Sequence, residues 1–302
     1  MIPERGEPNF AFEQLIGAGP NCMVQQDRVR VENVKTASGA RILLGVVADG
    51  HAMAGESAQV VINHVFEAVR RSRDKDLNAV LRRGLESGSQ AIMGKRGQVA
   101  VTALAIRGNR YHFASVGHTK VFLIREGRAR LLNQGMNDLL GASGSPQILT
   151  NSSEGDLLVP GDQMVLASDG LTRINPEDGK PFVDPKDLPG YIEGNSPREA
   201  ARHMISIAMG RDVDDNVSVI VIQVPGSEKA LRWRWAYAAI PAGLALIVFA
   251  LLLGLPPSKG DVAPAPIDYG YGVILSGSAF IQTAEGESRR VDKLGTIPPM
   301  AI

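Results

Sequence analysis

The 302-residue chain holds a single cysteine, Cys22, so no disulfide can form within it. A lone thiol suits a reducing compartment for the main domain. Net charge is missing too, because 32 Lys and Arg balance 32 Asp and Glu. That balance gives no support to a nucleic-acid partner, which ordinarily calls for a basic excess. The first residues carry Pro3, Glu4, Arg5, Glu7 and Pro8 and lack the apolar stretch of a signal peptide. No internal repeat is visible.

What is present is enough apolar material for a sizeable core, with 44% hydrophobic and 21% charged residues. Arg28 to Glu32 alternates, Thr36 to Ala40 reads as a turn, and Ile42 to Ala48 is a continuous apolar strand, which predicts a hairpin. Val60, Val61, His64, Val65 and Ala68 recur at helical spacing within 57–71. Leu77, Val80, Leu81 and Leu85 do the same within 77–93. Val99 to Leu132 predicts a meander of three strands turning at Gly108-Asn109 and Glu126-Gly127. Ser196-Pro197-Arg198-Glu199 predicts a helix start, with Ser196 as cap, Pro197 at the first position and Glu199 closing a capping box. Strand clusters mixed with helix pairs point to an α+β fold.

Residues 235–255 form an uncharged apolar run of 21 residues, the length of a transmembrane helix. A buried core helix is the alternative. Trp233 and Trp235 sit where an interfacial belt is expected, and Pro241 is tolerable in lipid. Lys229, Arg232 and Arg234 precede the run, against Lys259 and Asp261 beyond it. The positive-inside rule then predicts a single-pass membrane protein with its N-terminal domain cytoplasmic and its tail extracytoplasmic. The expected parts are a domain over 1–226, a basic juxtamembrane segment over 227–234, the helix over 235–255, and a tail over 256–302. That tail opens with a Pro-rich linker and continues as a hairpin within 272–294, turning at Glu285-Gly286.

Two short stretches carry the chemistry. Val47-Ala48-Asp49-Gly50-His51 and Leu166-Ala167-Ser168-Asp169-Gly170-Leu171 each deliver an aspartate at the end of an apolar run. Asp215-Asn216 precedes the apolar run 217–224, and Asp27 precedes the first hairpin. Either Asp-Gly alone reads as a common turn dipeptide. Four carboxylates on the tips of core strands are, as a set, what Mg²⁺ or Mn²⁺ requires.

In this order the motifs resemble those of the metal-dependent, 2C-type serine/threonine protein phosphatases (the PPM family), over roughly residues 9–225. Gln26-Asp27, Asp49-Gly50-His51, residues 158–172 and Asp215-Asn216 match in turn. The resemblance implies a four-layer αββα sandwich. It implies hydrolysis of phosphoserine and phosphothreonine by a water activated between two Mn²⁺ or Mg²⁺ ions, with a third, weaker metal site. Asp49 would bridge the metals and the Gly50 carbonyl would add a ligand. Asp169 and Asp215 would complete one shell, and Asp27 would serve the second metal through water. His51 matches the family's proton donor to the leaving alkoxide, a role that suits an imidazole. Phosphoprotein substrates and a Ser/Thr kinase counterpart are the implied partners.

Three departures stand against this. Cys22 occupies the place of the family's phosphate-gripping arginine, and no His-Cys signature with a downstream arginine makes it a nucleophile. Arg28 and Arg30, the nearest substitutes, are expected to be solvated on their strand. Gly117-His118-Thr119-Lys120 replaces Gly-Asp-Ser-Arg, which leaves His118 either a Mn²⁺ ligand or a local structural residue. The loop 51–56 lacks the usual glycine pair and reads short. These departures keep open a second reading, a weak or inactive phosphatase-like adaptor that binds phosphoproteins. His64, His112 and His203 are expected to be packing or surface residues.

Overall fold

The computed structural model describes residues 11–18, 24–52, 54–94, 97–134, 138–142, 146–225, 279–282 and 288–291. The chain divides into two units, 1–239 and 240–302.

The first unit contains two antiparallel sheets. One takes β2 (Arg28–Lys35), β3 (Arg41–His51), β4 (Gln98–Arg107) and β5 (Arg110–Val116) as successive neighbours. The short β8 (Leu149–Thr150) and β9 (Asp156–Leu157) pair with β5. The other runs β1 (Ala11–Ala18), β11 (Asn216–Gln223), β10 (Gln163–Ala167), β6 (Lys120–Arg125) and β7 (Arg128–Leu131). Helices α1 (Gly55–Arg71) and α2 (Leu77–Ile92) cover the first sheet. The short α3 (Asp169–Thr172) and α4 (Leu188–Ile192) and the longer α5 (Pro197–Met209) cover the second.

Strand β3 shows why the layers form. Ile42, Leu44, Val46 and Ala48 pack toward α1 and α2, among Val61, Val65, Leu81 and Leu85. Leu43 and Val47 face the other way, among Leu166 and Ile220 of the opposite sheet. Both faces are therefore covered, and the apolar run is continuous instead of alternating. Strand β11 repeats the pattern, with Val217, Val219 and Val221 toward α5 and Ile220 and Ile222 toward the first sheet. The result is the αββα sandwich. Each such side chain stabilises the fold by about 1.5–3 kcal/mol, which offsets the cost of holding carboxylates in one end of it.

The helix starts follow local chemistry. Asp76 caps α2 by accepting from the Ala79 amide at 3.1 Å. Ser196, Pro197 and Glu199 make the capping box the sequence predicts, with the Ser196 amide donating to Glu199 Oε2 at 2.9 Å.

The expected three-stranded meander over 99–132 is corrected. Four strands, β4 to β7, occupy it, and the chain changes sheet between β5 and β6 at Gly117-His118-Thr119. Gly117 has φ +86°, and a Cβ there would lie 2.5 Å from that of Ala100. Buried apolar residues on both sides, Val116 and Val121, hide this break from a reading by hydropathy.

Among the described residues no helix is long and apolar enough to cross a membrane. The predicted span 235–255, its basic flank and the Pro-rich linker lie outside the described residues. In the second unit β12 (Ala279–Gln282) pairs antiparallel with β13 (Ser288–Val291), Gln282 opposite Ser288. The predicted turn at Glu285-Gly286 lies outside the described residues.

Candidate metal centre

One end of the sandwich gathers the predicted residues. Asp27 directly precedes β2, Asp49 and His51 close β3, and His118 rides the crossover from β5 to β6. Asp169 opens α3, and Asp215 directly precedes β11.

Neither Asp-Gly is a turn. Gly50 lies within β3 opposite Val99, and a Cβ on it would fall 2.9 Å from the backbone of Ala54 and from the Gln26 carbonyl. Gly170 lies in α3, and a Cβ on it would fall 2.0 Å from the Asn216 carbonyl oxygen. Each glycine lets two backbones approach, and so brings one aspartate segment against another. Asp49 is thereby set beside the Asp27 segment, and Asp169 beside Asp215.

Asp27 is buried, and its Oδ2 accepts from the Ser218 hydroxyl at 2.7 Å. Asn216 fixes the same segment. Its Oδ1 accepts from the Gln26 amide at 2.7 Å and the Asp27 amide at 3.4 Å. Asp49 is also buried, with Oδ2 3.7 Å from His118 Nδ1 and Oδ1 4.0 Å from His51 Nε2. His118 Nδ1 lies 3.4 Å from Asp169 Oδ2. The two histidines meet at 2.6 Å between their Nε2 atoms, edge to face at 85°. Asp215 Oδ1 accepts from the Asn216 amide, and its Oδ2 lies 3.5 Å from Arg173 Nη1. Arg173 Nη2 is held by Asp214.

A buried network pins the crossover that carries His118. Thr102 Oγ1 meets both Ser115 Oγ and Thr119 Oγ1 at 2.8 Å. Asn133 donates to Ser115 Oγ at 2.8 Å and to the Thr119 carbonyl at 2.7 Å. It also accepts from the Val121 amide at 2.8 Å.

The electrostatics are those of a cluster short of positive charge. Burial, and then Asp27, Asp169 and Asp215, push the Asp49 carboxyl up to about 10. Burial raises Asp27 to about 6, although hydrogen bonds from Ser218 and Ser168 pull the other way. Burial also raises Asp215 and lowers His118, which favours a neutral imidazole able to act as a ligand. Two buried atoms, Asp169 Oδ1 and His118 Nδ1, make no hydrogen bond. Ligand atoms of Asp49, His51 and His118 lie within 4.8 Å of one another. Oxygen donors, a neutral imidazole and unpartnered buried atoms fit a divalent cation such as Mn²⁺.

The structure corrects the expectation for the two strand arginines. Arg28 is half-buried, and its Nη1 donates to the carbonyls of Gln25 at 2.9 Å and Asp27 at 2.7 Å. Arg30 lies 4.2 Å over the Phe66 ring and pairs with Glu32. Cys22 lies outside the described residues. Of the remaining histidines, His64 contacts Ser87, His203 packs on Tyr191 and His112 is buried. Sequence reasoning gave no role to Asn216, Ser218 or Arg173. For Asn216 the signal was its place after Asp215 at a strand start, while Ser218 was visible as a lone hydroxyl in an apolar run.

The αββα sandwich, with its carboxylates gathered at one end, is the fold of the PPM-type phosphatases. Residues 38–225, more than half the chain, match the family described as stage II sporulation protein E (SpoIIE), and the chain belongs to that family. Asp27 precedes the matched residues. A search of curated proteins finds no match. Among solved structures, an S. agalactiae serine/threonine phosphatase is similar at 18% identity and TM-score 0.60, over 72% of this chain and all of that one. The Mycobacterium smegmatis PPM Ser-Thr phosphatase MsPP, in complex with cacodylate, is similar at 17% identity and TM-score 0.58, over 71% of this chain and 98% of that one. The catalytic domain of the serine/threonine phosphatase PstP, in complex with two manganese ions, is similar at 20% identity and TM-score 0.56. That likeness covers 72% of this chain and all of the other.

Proposed function

We propose that the domain hydrolyses phosphoserine and phosphothreonine in proteins, dependent on Mn²⁺ or Mg²⁺, and opposes a Ser/Thr kinase. The observation that carries this reading is Asp49, a buried carboxylate surrounded by three others and facing two imidazoles. In this reading Asp49, the Gly50 carbonyl, Asp169 and Asp215 are the groups that would hold the metals. Asp27 would contribute from the far side of Asp49, and His118 would be an additional ligand. When bound, the metals supply an acidified water and neutralise phosphate oxygens. His51, the more exposed of the two histidines, delivers a proton to the departing serine or threonine oxygen. Asn216 and Ser218 hold Asp27 in place throughout.

The domain is further proposed to be tethered by residues 235–255, facing the cytoplasm, with the tail outside. The uncharged run and its basic flank support this.

A second reading, a weak or inactive adaptor for phosphoproteins, is favoured by Cys22 and by Arg28, whose Nη1 is committed to backbone carbonyls. Turnover by the full chain in detergent separates the two. Mn²⁺-dependent release of phosphate from a phosphothreonine peptide, abolished by Asp169→Asn, establishes the enzyme. A folded, Mn²⁺-loaded protein with no turnover establishes the adaptor. Resistance to alkaline extraction from membranes, with the tail alone cleaved by external protease, tests the tether.

A further inference from the structure

We infer that Arg173 is the phosphate-gripping arginine of this chain, approaching the substrate from the α3–β11 side of the site. The inference rests on the phosphatase reading for its substrate class.

A guanidinium binds a phosphate oxygen through charge-assisted N–H donors, which demands a rigid stem and at least one arm able to turn to the site. Arg28, next to Asp27, directs Nη1 at the carbonyls of Gln25 and Asp27. Arg30 stacks on Phe66, and Arg211 is bound to Asp178 and the carbonyls of Pro181 and Phe182. Arg173 alone among these touches a carboxylate of the metal centre, Asp215, at 3.5 Å.

Its backbone is fixed on both sides. The Arg173 amide donates to the Asp169 carbonyl at 2.6 Å, and its own carbonyl accepts from the Phe182 amide at 3.0 Å. The guanidinium therefore stands four residues beyond Asp169 on a stem tied to that same aspartate. Its side chain is 37% exposed, so solvent and substrate both reach it. Asp214, 62% exposed, holds Nη2 from the solvent side.

Were Asp215 to hold a metal, that carboxylate would be shared between the ion and Nη1, 3.5 Å away. Nη1 would then be available to a second acceptor while Nη2 stays on Asp214. A phosphoryl oxygen is the partner this chemistry selects. Lys120, whose charge is felt by His118, is the competing cation, but an ammonium is a point charge without a fork.

Titration of inorganic phosphate into the Mn²⁺-loaded full chain, followed by calorimetry, tests the inference without relying on turnover. Arg173→Met should weaken phosphate binding roughly 10- to 100-fold, the loss of one charge-assisted pair. Mn²⁺ binding should persist in the variant, and Arg173→Lys should recover part of the affinity. If Arg173→Met does not fold, Arg173→Lys carries the comparison alone, with a severalfold loss expected. Lys120→Met should leave phosphate binding within about twofold of the original, since no paired donor is lost. Where the enzyme turns over, added guanidinium should rescue Arg173→Met, as a purely structural role would not allow. Unchanged phosphate affinity in Arg173→Met, no phosphate binding by the original chain, or a loss confined to Lys120→Met overturns the inference. Absent turnover with intact, Arg173-dependent phosphate binding refutes only the phosphatase reading.

Discussion

The Ser218 hydroxyl on one sheet donates to Asp27 Oδ2 at the edge of the other, 2.7 Å away and out of contact with solvent. This bond, with a second from Ser168, opposes the burial that raises the Asp27 carboxyl. Ser218→Ala should raise Asp27 further and destabilise the domain by about 1–3 kcal/mol. Mn²⁺ affinity should fall more at pH 6 than at pH 8, because protons compete harder for the unsupported carboxylate. Calorimetric titration at the two pH values, beside urea denaturation, checks both effects.

The raised carboxyls fix the sign of a pH effect on the metal-free protein. Asp27 and Asp49 have folded values of about 6 and about 10, against an unfolded value of 3.8. Between those limits the native state holds more protons than the unfolded one, so stability falls as pH rises. The melting temperature of metal-free protein should therefore decline from pH 5 to pH 8. Saturating Mn²⁺ should flatten the slope and release protons on binding, measurable as a buffer-dependent heat. A metal-free melting temperature that climbs over this range would contradict the buried, proton-holding pair.

His118 brings a second imidazole, beside that of His51, to a cluster of carboxylates. It should bias the centre toward Mn²⁺ over Mg²⁺, since imidazole suits borderline transition metals better than hard ones. His118→Asp should shrink that preference by roughly tenfold or more, a change comparable to losing one well-placed ligand. Competition between the two ions, read from the relaxation of water by bound Mn²⁺, gives the ratio directly.

Gly170 separates a structural glycine from a merely convenient one. Gly170→Ala would place a methyl 2.0 Å from the Asn216 carbonyl, where backbone must move. About 3 kcal/mol of lost stability is expected, together with weaker metal binding as Asp169 and Asp215 part. Gly190→Ala, where nothing lies within 4 Å, should be close to neutral. Thermal melts of both variants make the comparison.

The sequence revealed the carboxylates because aspartates at the ends of long apolar runs are conspicuous, and it revealed the α5 start because Ser196, Pro197 and Glu199 state their roles locally. It concealed the crossover at His118, since β5 and β6 are both buried and their hydropathy is continuous. The roles of Asn216 and Ser218 depend on residues some 190 positions away, which periodicity does not report. Arg28 reads as a solvated strand residue until the carbonyls of Gln25 and Asp27 are seen to curl back on it. The Asp-Gly pairs were legible as a pair and misleading singly. Gly50 and Gly170 serve close approach, and neither makes a turn.

Strand β11 begins directly after Asp215 and ends at Gln223, eight residues of central strand. At about 3.3 Å per residue it is a rod of roughly 26 Å. One end of that rod seats an aspartate of the candidate centre, and the other leads within a few residues to the segment preceding the apolar run. Between Asn216 and Gln223 no loop interrupts the strand. Paired on both sides by β1 and β10, that rod fixes where Asp215 stands by contacts spread along its whole length.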